Sequence, residues 1–266
     1  MFGNIQPVTK NILLLNIAMA LLTAFFDSQG NGIDLGSILG AHYFGTPLFQ
    51  PYQVVSHFFM HQSILAPNGG FLHIFMNMYV LVIFGSFLER LWGPKRFFIF
   101  YVASALGAYL LYAGVGFFQI MEMKRIIGDE HIIAGINGII KEYGRSDAAI
   151  SELNQFLGSI QISSAQNMAI QSYVLKSFIP MVGASGAIFG VMAAFAILFP
   201  NTQLMLIFPP IPIKAKWLIG GYFVFELYNS FQNNSGDNVA HLAHVGGAIV
   251  GAILVLIWRR TGKNFY

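Results

Sequence analysis

Long apolar runs, broken by short polar stretches, dominate this chain. Six of them predict membrane-crossing helices of ~20 residues each. They lie at about residues 11–26, 71–91, 96–117, 183–199, 215–232 and 241–258. Between the third and fourth runs the pattern changes. Residues 118–180 carry five basic side chains (Lys124, Arg125, Lys141, Arg145, Lys176) and six acidic ones (Glu122, Asp129, Glu130, Glu142, Asp147, Glu152). Within this insert, Ile133, Ile136 and Ile140 recur at helical spacing, as do Ile150, Leu153, Leu157 and Ile160. The spacing predicts two short amphipathic helices. They would cap the bundle, lie on the membrane or bind a partner, and capping is the simplest of these. The first connection, Ser28 to Gly70, holds "FQPYQVVSHFFMHQ" and is broken by Pro47, Pro51 and Pro67. Its aromatic, apolar character places it at headgroup level rather than in water. No internal repeat is visible.

Composition agrees with the pattern. The chain has 266 residues, 56% hydrophobic and 9% charged, where soluble domains carry about 25% charged residues. Mean hydropathy is +0.63. The reading is an all-α integral membrane protein: one six-transmembrane-helix bundle over residues 1–266, with a mostly helical extramembrane insert at 118–180. A formal net charge of +3 spread over this length argues against a nucleic-acid partner; the lipid bilayer is the partner composition implies. The absence of cysteine excludes disulfides and thiolate nucleophiles. "MFGNIQPVTK" shows no cleavage pattern, so the run after it reads as a retained span.

Basic residues orient the helices. Arg90, Lys95 and Arg96 follow the second span, Lys214 and Lys216 precede the fifth, and Arg259, Arg260 and Lys263 follow the sixth. Residues 28–70 and 233–240 have no Lys or Arg. With six crossings, all three basic groups share a side, which places both termini in the cytoplasm. A bacterial inner membrane is the expected location.

Polar groups inside spans are costly and therefore functional candidates. "MVGASGAIFG", Met181 to Gly190, surrounds Ser185 with small residues. Counted to the cytoplasmic ends of their helices, Ser185, His244 and Asn77 each stand 14 steps away, or about 21 Å. His73 lies one turn above Asn77. Singly, each has a structural reading: a serine bonding its own backbone, or a His–Asn pair gluing helices. Together at one depth they suggest chemistry. Imidazole is a suitable base for a serine hydroxyl. His73, Asn77 and the Ser185 backbone N–H at a helix start offer donors to an oxyanion. Gly183 and Gly186 leave room for a substrate backbone. Gly186 and Gly190, with Gly247 and Gly251, form two small-residue faces that let helices approach. The residues alone leave His241 competing with His244 as base. Glu226 and Asp237 are the only nearby acids, and neither shares the depth clearly, so the expectation is a Ser–His pair without a third carboxylate; Glu226 is expected near the hydrated cavity or hydrogen-bonded, with a role in orienting His244 the less favoured alternative.

These segments resemble the rhomboid family of intramembrane serine proteases. The likeness rests on "GASGAIFG", on "AHVGG" in the last helix, on "HIFMNMYVLVIFG" in an early one and on "FLERLWGPKRFFIFYV" between the second and third. It covers roughly Pro51 to Tyr112 and Met181 to Trp258. It implies a serine endopeptidase acting on transmembrane protein substrates near the outer face, in a hydrated cavity, with no metal and no cofactor. Ser185 would be the nucleophile and His244 the general base, with His73 and Asn77 at the oxyanion site. Ala-His-x-x-Gly, here Ala243 to Gly247, selects His244 over His241. Two departures stand out: Tyr52 and Gln53 where many members have Trp-Arg, and Phe189 where some have Tyr. Phe189 could still stack on His244, but it cannot offer a hydroxyl. Helix five and the loop "QNNSGDN" would form a gate, with Phe223, Phe225 and Phe231 facing lipid or a neighbouring helix. The alternative is a catalytically silent relative that binds membrane proteins; a transporter would favour paired acids in broken helices.

Overall fold

Helix α1, Pro7–Gln29, buries Thr9, Ile12, Asn16, Ala20, Thr23 and Ala24 while Leu14, Leu15, Leu21, Leu22 and Phe25 are exposed. Mostly polar and small residues inside, with large apolar ones outside, is the pattern of a lipid-facing helix. The structure is a computed structural model and describes residues 5–30, 32–66, 70–205, 210–232 and 240–261. Of the positions singled out above, Pro67, Asp237, Lys263 and the loop residues after Gln232 lie outside this set.

After α1 come two short helices, α2 (Leu35–Leu39) and α3 (Gln53–Ser56). The long helices α4 (Gly70–Trp92) and α5 (Pro94–Ile127) follow. Then come α6 (Glu130–Tyr143), α7 (Asp147–Gly158), α8 (Ser164–Phe178), α9 (Ser185–Leu198), α10 (Ala215–Gln232) and α11 (His241–Thr261). Among the described residues, α1, α4, α5 and α11 are long and apolar enough to cross a membrane. The fourth predicted span, α9, is apolar but has 14 residues, about 21 Å against a ~30 Å hydrocarbon core. Before α10, Gln203–Met205 (β1) and Pro212–Lys214 (β2) pair antiparallel, with Leu204 opposite Ile213. Apolar periodicity gave no sign of this strand pair.

The chain divides into two compact units: Met1–Asn31, Phe58–Tyr112 and Gly183–Tyr266 form one, Gly32–His57 and Ala113–Val182 the other. Two devices hold the first unit. Gln6, which precedes α1, provides no side-chain cap. Glu89 of α4 does so instead. Its Oε1 accepts from Val8 N at 2.9 Å, and its Oε2 accepts from Thr9 N and Thr9 Oγ1, each at 2.8 Å. The carboxylate thus satisfies open N–H groups of a neighbouring span and faces its positive end. Removing it would leave buried donors without partners, at about 1–3 kcal/mol each. Where α1 and α5 crowd α4, its residues Leu81–Gly85 form a wider π-helical turn. A side-chain carbon on Gly85 would stand 3.1 Å from Phe97 and 3.4 Å from Thr9 Oγ1.

The second device is the contact of α9 with α11. A carbon added to Gly251 would meet Gly190 Cα at 2.6 Å, and one on Gly190 would stand 3.0 Å from Gly247 O. The two small-residue faces read from the sequence therefore meet backbone to backbone. Gly246 on the next face of α11 rests against Gly107 O of α5, 2.8 Å from where its side chain would begin.

The second unit corrects several sequence expectations. Helix α5 runs ten residues past the predicted 117, to Ile127, because no breaker intervenes before Gly128 at φ 65°. The insert holds three helices, not two. The missed one, α8, buries Ala169, Ile170, Tyr173, Ser177 and Phe178, too polar and aromatic a set for an aliphatic-period search. Its signal was the Ser163–Gln166 capping box at its start. In α7, Leu153 is buried as expected, but Ala149 takes the inward place at the start of the stripe and Ile150 is 54% exposed. Tyr173 Oη donates to Asn137 Oδ1 at 2.6 Å, tying α8 to α6. Ala41 and Met181 form a two-way bridge at 2.8 Å.

Gln53, the departure from Trp-Arg, is a hub. Its Nε2 donates to Ile38 O and Leu48 O, both at 3.2 Å, and its Oε1 accepts from Gln50 N and His42 N. One amide side chain thereby holds four backbone groups of the first connection.

Two histidines give this unit an acid limit. His57 is 1% exposed and donates Nδ1–H to Gln53 O; burial lowers its pKa from 6.5 to about 4. Burial also lowers the pKa of His42, against the pull of the Ser37 and Ser177 carbonyls. A ring kept neutral when folded binds fewer protons than when unfolded. Its contribution is therefore complete above pH ~6.5 and declines as pH falls toward 4, by on the order of 3 kcal/mol for His57. Thermal unfolding in detergent should show a falling midpoint from pH 7 to 4.5, with a shallower slope in His57→Gln.

Candidate active site

Gly183 has φ 124°, a conformation that disfavours any other residue. It is followed by Ala184, which provides no side-chain cap, and then by Ser185 as the first residue of α9. The hydroxyl thus sits at a helix start whose leading N–H groups lack a capping side chain. A side-chain carbon on Gly183 would lie 3.5 Å from Ser185 Oγ, 3.6 Å from His73 Nε2 and 3.7 Å from Ser185 N. The space left by that glycine is ringed by a hydroxyl and two potential donors from α4 and α9.

His244 comes from α11. Its Nε2 lies 2.8 Å from Ser185 Oγ, across the glycine contact of α9 with α11. Phe189, one turn after Ser185, stacks on the imidazole at 4.3 Å and 8°, as the sequence allowed. Tyr222 of α10 also packs against Phe189, with ring centroids 5.0 Å apart and the rings tilted by 46°. His244 is 5% exposed.

Glu226 corrects the expectation of a pair without a carboxylate. It is 2% exposed. Its Oε2 lies 2.8 Å from His244 Nδ1 and 2.6 Å from His241 Nδ1. A carboxylate accepts, so both Nδ1 atoms donate. His244 then presents an unprotonated Nε2 to the serine O–H, the tautomer a base requires. His241 is not a rival base but a second donor to the same carboxylate.

The other predicted residues divide. His73 reaches the site. Asn77 donates Nδ2 to His73 O at 2.9 Å, so one of its two amide hydrogens is committed within its own helix. Gly186 does not face the Gly183 space: a carbon there would meet Ala108 of α5 and stand 3.4 Å from Ala243 O, so it serves helix approach. One residue escaped notice. His61, in the first connection, donates Nε2–H to Asn16 Oδ1 at 2.7 Å and lies 6.0 Å from the His73 ring. Burial, with His73 beside it, lowers its pKa to about 3. It stood in the quoted "SHFFMHQ", but nothing local marked it as bonding to α1.

Among the described residues, Glu226, His241 and His244 also bring three metal-ligand atoms within 4.8 Å of one another. An ion there would have to replace the two Nδ1 protons that now meet the carboxylate.

The sequence matches the family model of the Rhomboid domain over residues 48–140 and 149–261. It is also 34% identical over 79 residues to "Rhomboid protein 1, mitochondrial" of Saccharomyces cerevisiae, a match covering 28% of this chain. That match spans 21% of the relative's length. No solved structure matches the chain.

Proposed function

The chain belongs to the rhomboid family, and from that premise we propose that it is an intramembrane serine endopeptidase cleaving transmembrane protein substrates. The observation that carries the proposal is the 2.8 Å contact of Ser185 Oγ with His244 Nε2, beside a space lined by His73 Nε2 and Ser185 N. A substrate carbonyl carbon enters next to Oγ. As Oγ bonds to it, the serine proton moves to His244 Nε2. The carbonyl oxygen, now negative, turns toward Ser185 N and His73, with the second Asn77 amide hydrogen in reserve. His244 returns the proton to the leaving amine, and water then cleaves the acyl-enzyme by the same route.

Peptide bonds in a helix are shielded by their own hydrogen bonds, so the substrate unwinds locally first. Glycine and other weak helix formers near the cut ease this step. The exposed Phe225 and Phe231 of α10 suit a face along which a substrate span arrives from lipid. The basic residues after α4 and α11 support cytoplasmic termini and cleavage toward the outer leaflet.

A fluorophosphonate probe tests the proposal. It should label wild-type protein in detergent but neither Ser185→Ala nor His244→Ala. Labelling that persists in both would overturn the assignment, and an unlabelled wild type that still captures membrane proteins would point to a silent binder.

A further inference from the structure

We propose that Glu226 is a positioning residue for His244, making this site a Ser185–His244–Glu226 triad in which His241 holds the carboxylate in place. The inference deepens the protease reading and rests on it. Glu226 comes from α10 and both imidazoles from α11, so the arrangement joins two helices at one buried carboxylate oxygen. His241 and His244 are three residues apart on one helix face, which is why a single oxygen serves both rings.

The chemistry follows from the donor geometry. With Glu226 ionised, His244 keeps its hydrogen on Nδ1 and its lone pair on Nε2. When Ser185 Oγ bonds to the substrate carbon, the hydroxyl proton passes to Nε2, and the new imidazolium faces a carboxylate at Nδ1. On collapse, that proton leaves from Nε2 to the amine. Glu226 accepts no proton at any step. It orients the ring and steadies the positive charge it acquires. His241, by donating to the same oxygen, fixes the carboxylate rotamer. Among the described residues, the other ionisable groups near this cluster are Tyr222, one turn before Glu226 on α10, and His73 of α4. Phe189 covers one face of the His244 ring.

The test compares wild type with Glu226→Gln, Glu226→Asp and Ser185→Ala. The substrate is a tagged single-span protein with glycines in its outer third, in detergent micelles, read across pH. Glutamine keeps the shape of Glu226 but can donate to Nδ1, which favours the wrong tautomer. Glu226→Gln should lower kcat by about 10²–10⁴-fold with little change in KM. The acid limb of kcat/KM should move down by about one pH unit or more. Glu226→Asp, which keeps the charge, should return the limb toward the wild-type position. Nitrogen-15 NMR of labelled histidine should show the His244 titration moving in the same direction. Wild-type cleavage that Ser185→Ala abolishes, together with full kcat and an unmoved acid limb in Glu226→Gln, overturns the positioning role of Glu226 and leaves the protease reading intact. If wild type neither cleaves nor takes the fluorophosphonate, both are overturned.

Discussion

Ser185→Ala is expected to reduce cleavage of a single-span substrate by about 10⁴–10⁶-fold, and His244→Ala by a similar factor. The two residues share one proton, and neither activates a carbonyl alone: an alanine at 185 leaves no nucleophile, while an alanine at 244 leaves a hydroxyl with no base within reach. The double variant should therefore be no slower than either single one, because once the pair is broken nothing further is lost. His73→Ala should fall by less, about 10²-fold, since it removes one oxyanion donor while the Ser185 N–H remains. Rates from purified variants in micelles check all four. Additive losses in the double variant would show that the 2.8 Å contact is not the reacting pair.

The second large effect is expected at Gly247. A side-chain carbon there would collide with Gly186 O and stand 3.2 Å from Gly186 Cα. These are backbone atoms of a packed helix and cannot turn aside as a flexible side chain would. Gly247→Ala should force α9 and α11 apart, destabilising the bundle by about 1–3 kcal/mol. It should also lengthen the Ser185–His244 contact, which spans the same interface. A displacement of about 1 Å at a reacting centre is enough for a 10²-fold loss of rate. Gly247→Leu should not accumulate as folded protein. Thermal unfolding and cleavage rate, measured on the same preparations, separate the two effects.

Much of this site was legible in the sequence because it rests on contiguous motifs. Ser185 among small residues, His244 before Gly247 and His73 one turn from Asn77 all announce themselves by spacing on a helix. The glycine faces were equally visible, since small residues four apart have few other uses in a span. Glu226 was harder to place. Its partners are 15 and 18 positions away, beyond a polar stretch of sequence, and depth counting could not fix the rotation of α10. Glu89 and His61 were missed for a related reason: each bonds to α1, 45 or more positions away, and no local pattern reports such a partner. In the insert, α8 escaped because its buried face is made of alanine, tyrosine and serine as much as aliphatic residues.

The wide turn at Leu81–Gly85 sets the phase of a whole span. In a regular helix, Asn77 and Glu89 would point about 120° apart. A turn that absorbs one extra residue reduces this to about 20°. The same side of one rod can then carry the polar groups of the reaction chamber near its top and the clamp on the first helix near its base. The neighbouring turns keep their regular winding.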